Sequence, residues 1–254
     1  MRYAIISDIH ANATALNAVL DEIHNEDVDR IVCLGDIVGF HTAPGECIDQ
    51  IVANNILCIA GNHDAGVAGR LGSRFFPREC WQAIEWTRAQ LTPDHIGFLR
   101  HLPGQMVIEN RAWAMHGSFD NSRRYVVGGT MVTCAALRLK WRGFRLAFFG
   151  YTHQAACYRL RDSVVPWPCD DLDTTVPLTL PAEKIHLVNP GSIGQSRTGD
   201  TRAAFAIFND GDRQIAWRRV AYDYGAVIRQ TLAVFPEHEH LYTRVQEPPR
   251  AAYA

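Results

Sequence analysis

The chain lacks any apolar run near the roughly 18 residues that a membrane-spanning helix requires, so no membrane span is expected. It also lacks a basic N-terminal stretch followed by a long apolar segment and a cleavage site. The chain passes at once into Tyr3-Ala4-Ile5-Ile6, and a cytoplasmic protein is expected. A strong charge of one sign is missing too. Lys and Arg number 25 against 27 Asp and Glu, a net charge of -2, which removes any general attraction for nucleic acid or anionic membranes. Any affinity for phosphate must be local. The seven cysteines contain no CxxC pair and are odd in number, so reduced thiols are expected rather than a disulfide framework. No internal repeat, low-complexity segment or composition shift marks a domain boundary.

What remains is the composition of a folded domain, 47% hydrophobic and 20% charged over 254 residues, enough for one large core. The apolar runs Tyr3–Ile6, Ile31–Leu34 and Ile56–Ala60 read as buried parallel strands. Helical patterns starting near Asn12 and at Pro44 lie between them, giving a βαβαβ unit. Residues 65–104 read as helical. Met106–Ile108 and Ala112–Met115 read as a hairpin, followed by a helix over 132–140 and a strand over Phe144–Phe149. Ala155–Leu160 and Ile185–Val188 read as short strands. Ala203–Phe208 and Gln214–Val220 read as a second hairpin, and a last helix starts near Asp223. The expected organisation is a single domain over 1–245, with an exposed insertion near 162–181 and a flexible tail over 246–254.

Each of several strands ends in groups that can bind metal: Asp8 and His10, then Asp36, then Asn62 and His63, then His116, then His153. In open α/β sheets the carboxyl ends of strands are where ligands bind. Mixed oxygen and nitrogen donors without thiolate suit Mn, Fe, Zn, Ni or Co better than Ca or Mg. The set exceeds the four ligands of a structural zinc site and suffices for two metals sharing a carboxylate, with Asp36 the natural bridge. Turn capping by Asp and Asn is the plainer alternative, but capping does not call for partner histidines.

In order, Asp8-x-His10, Gly35-Asp36-x-x-Gly39, Gly61-Asn62-His63-Asp64, His116-Gly117 and Gly150-x-Thr152-His153 resemble the calcineurin-like metallophosphoesterases. Asn189-Pro190-Gly191-Ser192-Ile193-Gly194-Gln195 adds a feature of their small bacterial phosphodiesterase-like branch. The resemblance covers residues 1–225. It implies an α/β fold, a four-layer α/β/β/α sandwich of two mixed sheets flanked by helices. It implies that Asp8, His10, Asp36 and His153 hold one metal and Asp36, Asn62 and His116 a second. The cofactors expected are two divalent transition metals, Mn2+ foremost, with Fe, Zn, Ni or Co as substitutes. His63 would be the general acid and Asp64 its orienting partner, with 189–195 a loop near the site.

The implied activity is hydrolysis of a small-molecule phosphodiester or nucleotide-like phosphoester by a metal-bridging hydroxide. Divalent metal brings the pKa of bound water to around 7. A catalytically weak phosphate-binding scaffold and a phosphomonoesterase are the alternatives. The family usually has His where Tyr151 stands. Tyr151 is either a second-site ligand or substrate contact, or an aromatic packed beside the site. Gly39-Phe40 replaces the Asp-Arg of the Ser/Thr protein phosphatases and argues against that branch. Glu237-His238-Glu239-His240 belongs to no strand end and reads as a solvated polar turn. Arg123-Arg124 reads as solvated, Trp81 and Trp86 as helix packing, and His41 as a residue near the mouth of the site.

Overall fold

Alternation along the first strand sets the layers. In β1 (Arg2–Ile6), Tyr3 and Ile5 point to one face while Ala4 and Ile6 point to the other, and all four are buried. A strand buried on both faces needs a cover on each side. The computed structural model supplies a helical layer on one side and a second sheet on the other. It describes residues 1–119, 126, 128–160, 164–167 and 176–239.

From β1 the chain enters α1 (Ala13–His24), where the Asn12 side chain caps the N-terminus by accepting the Ala15 N–H at 3.0 Å. Next come β2 (Arg30–Cys33), α2 (Pro44–Ala53) and β3 (Leu57–Cys58). The third strand is shorter than the expected 56–60. The helical region holds α3 (Asn62–Val67), a 3-10 turn (Ser73–Phe75), α4 (Arg78–Gln90) and α5 (Pro93–His101). Then follow the hairpin β4 (Gln105–Ile108) and β5 (Ala112–Met115), α6 (Gly128–Trp141), β6 (Leu146–Phe149), β7 (Ala156–Leu160) and β8 (Val164–Trp167). The order closes with β9 (Leu178–Thr179), β10 (Ile185–Asn189), β11 (Ala203–Asn209), β12 (Gln214–Val220) and α7 (Tyr224–Val234).

These strands form two six-stranded mixed sheets, ordered β3-β2-β1-β11-β12-β9 and β4-β5-β6-β10-β7-β8. Ile5, Val32, Leu34, Phe208 and Trp217 of the first face Ala114, Leu146, Phe148 and Val188 of the second. Leu16, Val19 and Ile48 of α1 and α2 cover the outer face of the first sheet. Val132, Ala136 and Leu139 of α6 cover that of the second, against Met115, Ala147 and Phe149. The result is the expected α/β/β/α sandwich.

Two regions differ from the sequence reading. The stretch 162–181 contributes edge strands to both sheets, β8 on β7 and β9 on β12, and Leu180 is buried. Residues 168–175 lie outside the described residues. A proline is compatible with β8 because an edge strand need not donate every N–H. The expected solvated turn at 237–240 is a 3-10 turn, Pro236–His238, whose His238 is buried and stacks on Phe235 at 4.9 Å. Glu237 stays exposed, and His240 lies outside the described residues, as does Arg123-Arg124.

His41 is buried, not at the mouth. Its Nε2 meets the Gly194 carbonyl at 3.0 Å and its Nδ1 meets Thr231 Oγ1 of α7 at 2.8 Å. Burial pushes its imidazole down to about 4, against the smaller opposing pull of the Gly194 carbonyl. The unfolded chain takes up this proton near pH 6.5, the folded chain only near pH 4. The stability difference is therefore lost as pH falls through that window, about 3 kcal/mol in all. Urea unfolding of chelated protein at pH 7.5 and 4.5 should show it, and His41→Gln should remove that part of the acid sensitivity. Equal pH slopes for the two proteins would contradict it.

Candidate metal centre

The turns after β1 and β2 are tied to each other before any side chain is considered. Asp8 N–H donates to the Gly35 carbonyl at 3.0 Å, and His10 N–H to the Asp36 carbonyl at 2.9 Å. In these turns Asp8, His10 and Asp36 have φ values of 55°, 51° and 53°, and after β6 Tyr151 and His153 have 69° and 60°. Left-handed backbone costs a side-chain-bearing residue about 1–2 kcal/mol. Such strain persists where surrounding structure over-determines it, and it clusters at functional sites.

Four carboxylate and imidazole side chains then converge, all buried: Asp8, His10, Asp36 and His153, with His116 beside them. His153 Nε2 lies 3.1 Å from His10 Nε2 and 3.5 Å from Asp8 Oδ1. Asp36 Oδ2 lies 3.6 Å from His10 Nε2 and 3.3 Å from His116 Nε2, so one carboxylate reaches both sides of the cluster. His116 Nε2 is also 3.2 Å from Asn62 Oδ1. Ligand atoms of Asp8, His10 and His153 lie within 4.8 Å of one another. The same holds for Asp8, Asp36 and His116, and for His10, Asp36 and His63. Asp8 thus stands between the two groups rather than in the first alone.

The far nitrogens show which near ones are turned to the cluster. His153 Nδ1 donates to the Gln195 carbonyl at 2.6 Å, and His116 Nδ1 to the Leu34 carbonyl at 2.8 Å. A carbonyl only accepts, so each Nδ1 carries a proton and each Nε2 faces inward, as outer-shell carbonyls do for metal-ligating histidines. His153 Nε2 thus turns its lone pair towards His10 Nε2, 3.1 Å away, and the Asp8 carboxylate, while the buried His10 Nδ1 has no hydrogen-bond partner, a set of donors that a cation between them would satisfy. The residues therefore fit divalent metal.

Burial drives His10 and His153 well below the usual imidazole range, which favours the neutral form a metal needs. Burial also pushes Asp8 up to about 6. Burial works against ionisation of His116 as well, but the adjoining Asp36 carboxylate outweighs it and lifts His116 to about 10. Asp36, opposed by the same burial, is held well below the carboxylate range by His116, His63 and His10.

His63 occupies the first turn of α3, where its N–H donates to Asp36 Oδ1 at 2.8 Å. Its ring packs between Phe40, at 4.6 Å, and Phe76, at 5.8 Å, and 4.9 Å from His10. Gly39 makes this possible: its φ is +97°, and a Cβ there would run into the His63 ring. Asp64 does not orient His63. Its Oδ1 accepts from Ile37 N and Val38 N at 2.9 and 3.2 Å, and its Oδ2 from Gly61 N at 2.9 Å. It ties the Asp36 turn to the start of α3. Tyr151 meets the site through its main chain, its N–H lying 3.2 Å from both Asp8 oxygens, while its ring lies 5.4 Å from that of His116.

The loop 189–195, read from the sequence as lying near the site, forms a buttress behind it. Asn189 donates to the Gly150 carbonyl and Thr152 Oγ1, both at 3.0 Å, and fixes the turn that carries His153. Ser192 Oγ and Gly194 N–H both donate to the Asp8 carbonyl at 2.9 Å. The loop 189–195 is thus a support, holding the Asp8 main chain through Ser192 and Gly194 and the His153 ring through the Gln195 carbonyl. Sequence reading missed Arg197. Its positive charge reaches Asp8, His10, His63 and His153. The spacing Gln195-x-Arg197 after the Asn189–Gln195 motif was the available clue.

An α/β/β/α sandwich with a buried histidine–carboxylate cluster at its strand ends defines a metal-dependent phosphoesterase scaffold. The chain belongs to the calcineurin-like phosphoesterase superfamily, whose domain profile matches residues 1–211. It is 32% identical over 225 residues to an uncharacterized protein of Methanocaldococcus jannaschii, covering 87% of each chain. It is also similar to a metallophosphoesterase from Sphaerobacter thermophilus, with 32% identity, a TM-score of 0.77, and coverage of 96% of this chain and 98% of that one. A hypothetical protein from Pyrococcus horikoshii shares the fold at 18% identity, with a TM-score of 0.75 and coverage of 98% and 99%. The superfamily uses divalent metals, and the groups above are those this chain offers them. Among the described residues, no helix is long and apolar enough to cross a membrane.

Proposed function

We propose that this protein hydrolyses a small-molecule phosphodiester or nucleotide-like phosphoester, with two divalent metals, Mn2+ foremost, as cofactors. The observation that carries the reading is the placement of Asp36, whose Oδ2 reaches His10 Nε2 on one side and His116 Nε2 on the other. Asp8, His10 and His153 would hold one metal and Asn62 and His116 the other, with Asp36 shared. Bound divalent cations would supply Lewis-acid polarisation of the phosphoryl group and lower the pKa of a bound water. Arg197 adds positive charge that draws a phosphoester to a protein with a net charge of -2. His63, held against Asp36 by its main chain, would give the leaving oxygen its proton. No basic surface for nucleic acid enters this reading. The described cysteines are free thiols, which suits a cytoplasmic setting.

The test is hydrolysis of bis-p-nitrophenyl phosphate by chelator-stripped protein reloaded with each metal. Turnover should require metal and be highest with Mn2+. His63→Gln should keep its metal while losing about 10²-fold or more in kcat. Protein that binds metal stoichiometrically but turns over neither this diester nor p-nitrophenyl phosphate with any of the five metals would overturn the hydrolase reading in favour of a scaffold.

The Tyr151 N–H on Asp8 and its ring beside His116 both survive removal of the hydroxyl. Tyr151→Phe therefore isolates the phenol oxygen, and a kcat/KM within about twofold of wild type would confine Tyr151 to those two contacts. A loss of about tenfold or more would show that the phenol oxygen itself takes part.

A further inference from the structure

From the proposed hydrolysis we infer that the leaving-group side of the site is a preformed aromatic subsite, built by Phe40, Phe76 and Trp81 beside His63, which takes a planar, nucleobase-like group. The inference rests on the phosphoesterase reading, because it is His63 as proton donor that makes this the leaving-group side.

The rings form a row outward from the metal cluster. Phe40 lies 4.7 Å from His10 and 4.6 Å from His63, Phe76 lies 5.8 Å from His63, and Trp81 lies 5.8 Å from Phe76. These spacings are those of interacting aromatic pairs. Phe40 is buried, while Phe76 and Trp81 are half-buried, their inner parts packed on the helix-side core. The row thus runs from the reacting centre to the surface.

The row is held in place. Gly66 lets Phe76 lie on α3, since a Cβ there would come within 3.1 Å of the Phe76 ring. The Arg88 guanidinium sits 5.8 Å from the Trp81 ring centroid, anchored by its bonds to the Val67 and Gly66 carbonyls at 2.8 and 2.5 Å. A pocket for a sugar or polyol would offer hydroxyl partners along this path, whereas a π-face accepts any nucleobase by stacking.

The experiment uses the full Mn2+-loaded chain and compares AMP, ribose 5-phosphate and inorganic phosphate, both as inhibitors of bis-p-nitrophenyl phosphate hydrolysis and by calorimetry. AMP should bind about tenfold or more tightly than ribose 5-phosphate, the difference being the base. Phe76→Leu keeps apolar volume and should cut that advantage to about twofold, with inorganic phosphate affinity and metal content little changed, while Phe76→Tyr should restore it. Equal binding of AMP and ribose 5-phosphate to the wild type would overturn the inference. So would a Phe76→Leu loss as large for inorganic phosphate as for AMP. If nothing is hydrolysed yet AMP keeps its calorimetric advantage, the aromatic subsite stands and the phosphoesterase reading falls. Turnover without any preference for AMP gives the opposite result.

Discussion

Asp36→Asn is expected to lower kcat/KM by about 10³-fold or more, some 4 kcal/mol of transition-state stabilisation. Both carboxylate oxygens are committed. One accepts the His63 N–H at 2.8 Å, and the other stands between His10 Nε2 and His116 Nε2. Asparagine keeps the size but offers one acceptor and an amide donor, and it removes a charge that two dications would share. The side chain cannot move aside, because Gly61 packs so closely on it that even a Cβ there would overlap the carboxylate. Metal per chain and steady-state kinetics on the same sample check this. Full activity with full metal content would exclude Asp36 as the shared ligand.

Asp64→Ala should destabilise the fold by about 3–9 kcal/mol, since it strands three buried N–H groups at about 1–3 kcal/mol each. Those donors are Ile37, Val38 and Gly61, and Asp64 is wholly buried among them. Against a domain stability of about 5–15 kcal/mol, that loss is large. Asp64→Asn keeps one acceptor oxygen and should cost roughly half as much. Because Asp64 ties the Asp36 turn to the start of α3, metal affinity should fall with stability. Urea unfolding of metal-free protein separates this from a role on His63. A role on His63 would change the pH profile of kcat and leave the unfolding midpoint in place.

Most of the candidate ligand set was legible because each member follows an apolar strand within a few residues. Asp8, Asp36, Asn62, His116 and His153 follow β1, β2, β3, β5 and β6, which run so that these residues emerge at the same end of the sandwich. The edge strands β8 and β9 were not legible, since a Pro-, Asp- and Thr-rich stretch resembles a loop and edge pairing tolerates it. His238 was misread because its polar neighbours describe the chain on either side of it, not the helix it packs against.

His63 and Asp64 show the boundary most clearly. Adjacent in sequence, they invite a paired role, yet consecutive residues on a helix do not face each other. In α3 the first turns to the metal cluster and the second to the backbone of the Asp36 turn.

The sequence by itself determined which strands end in carboxylate, carboxamide and imidazole, donors that suit divalent metal, and it carried the ordered motifs by which the chain resembles the metallophosphoesterases. Only the tertiary structure decided how those groups are aimed. The partners that orient them are main-chain carbonyls of Leu34 and Gln195 and main-chain N–H groups of Gly61, Ile37 and Tyr151. Every residue carries such groups, so no residue type marks them in advance, and they act only where the fold brings them together.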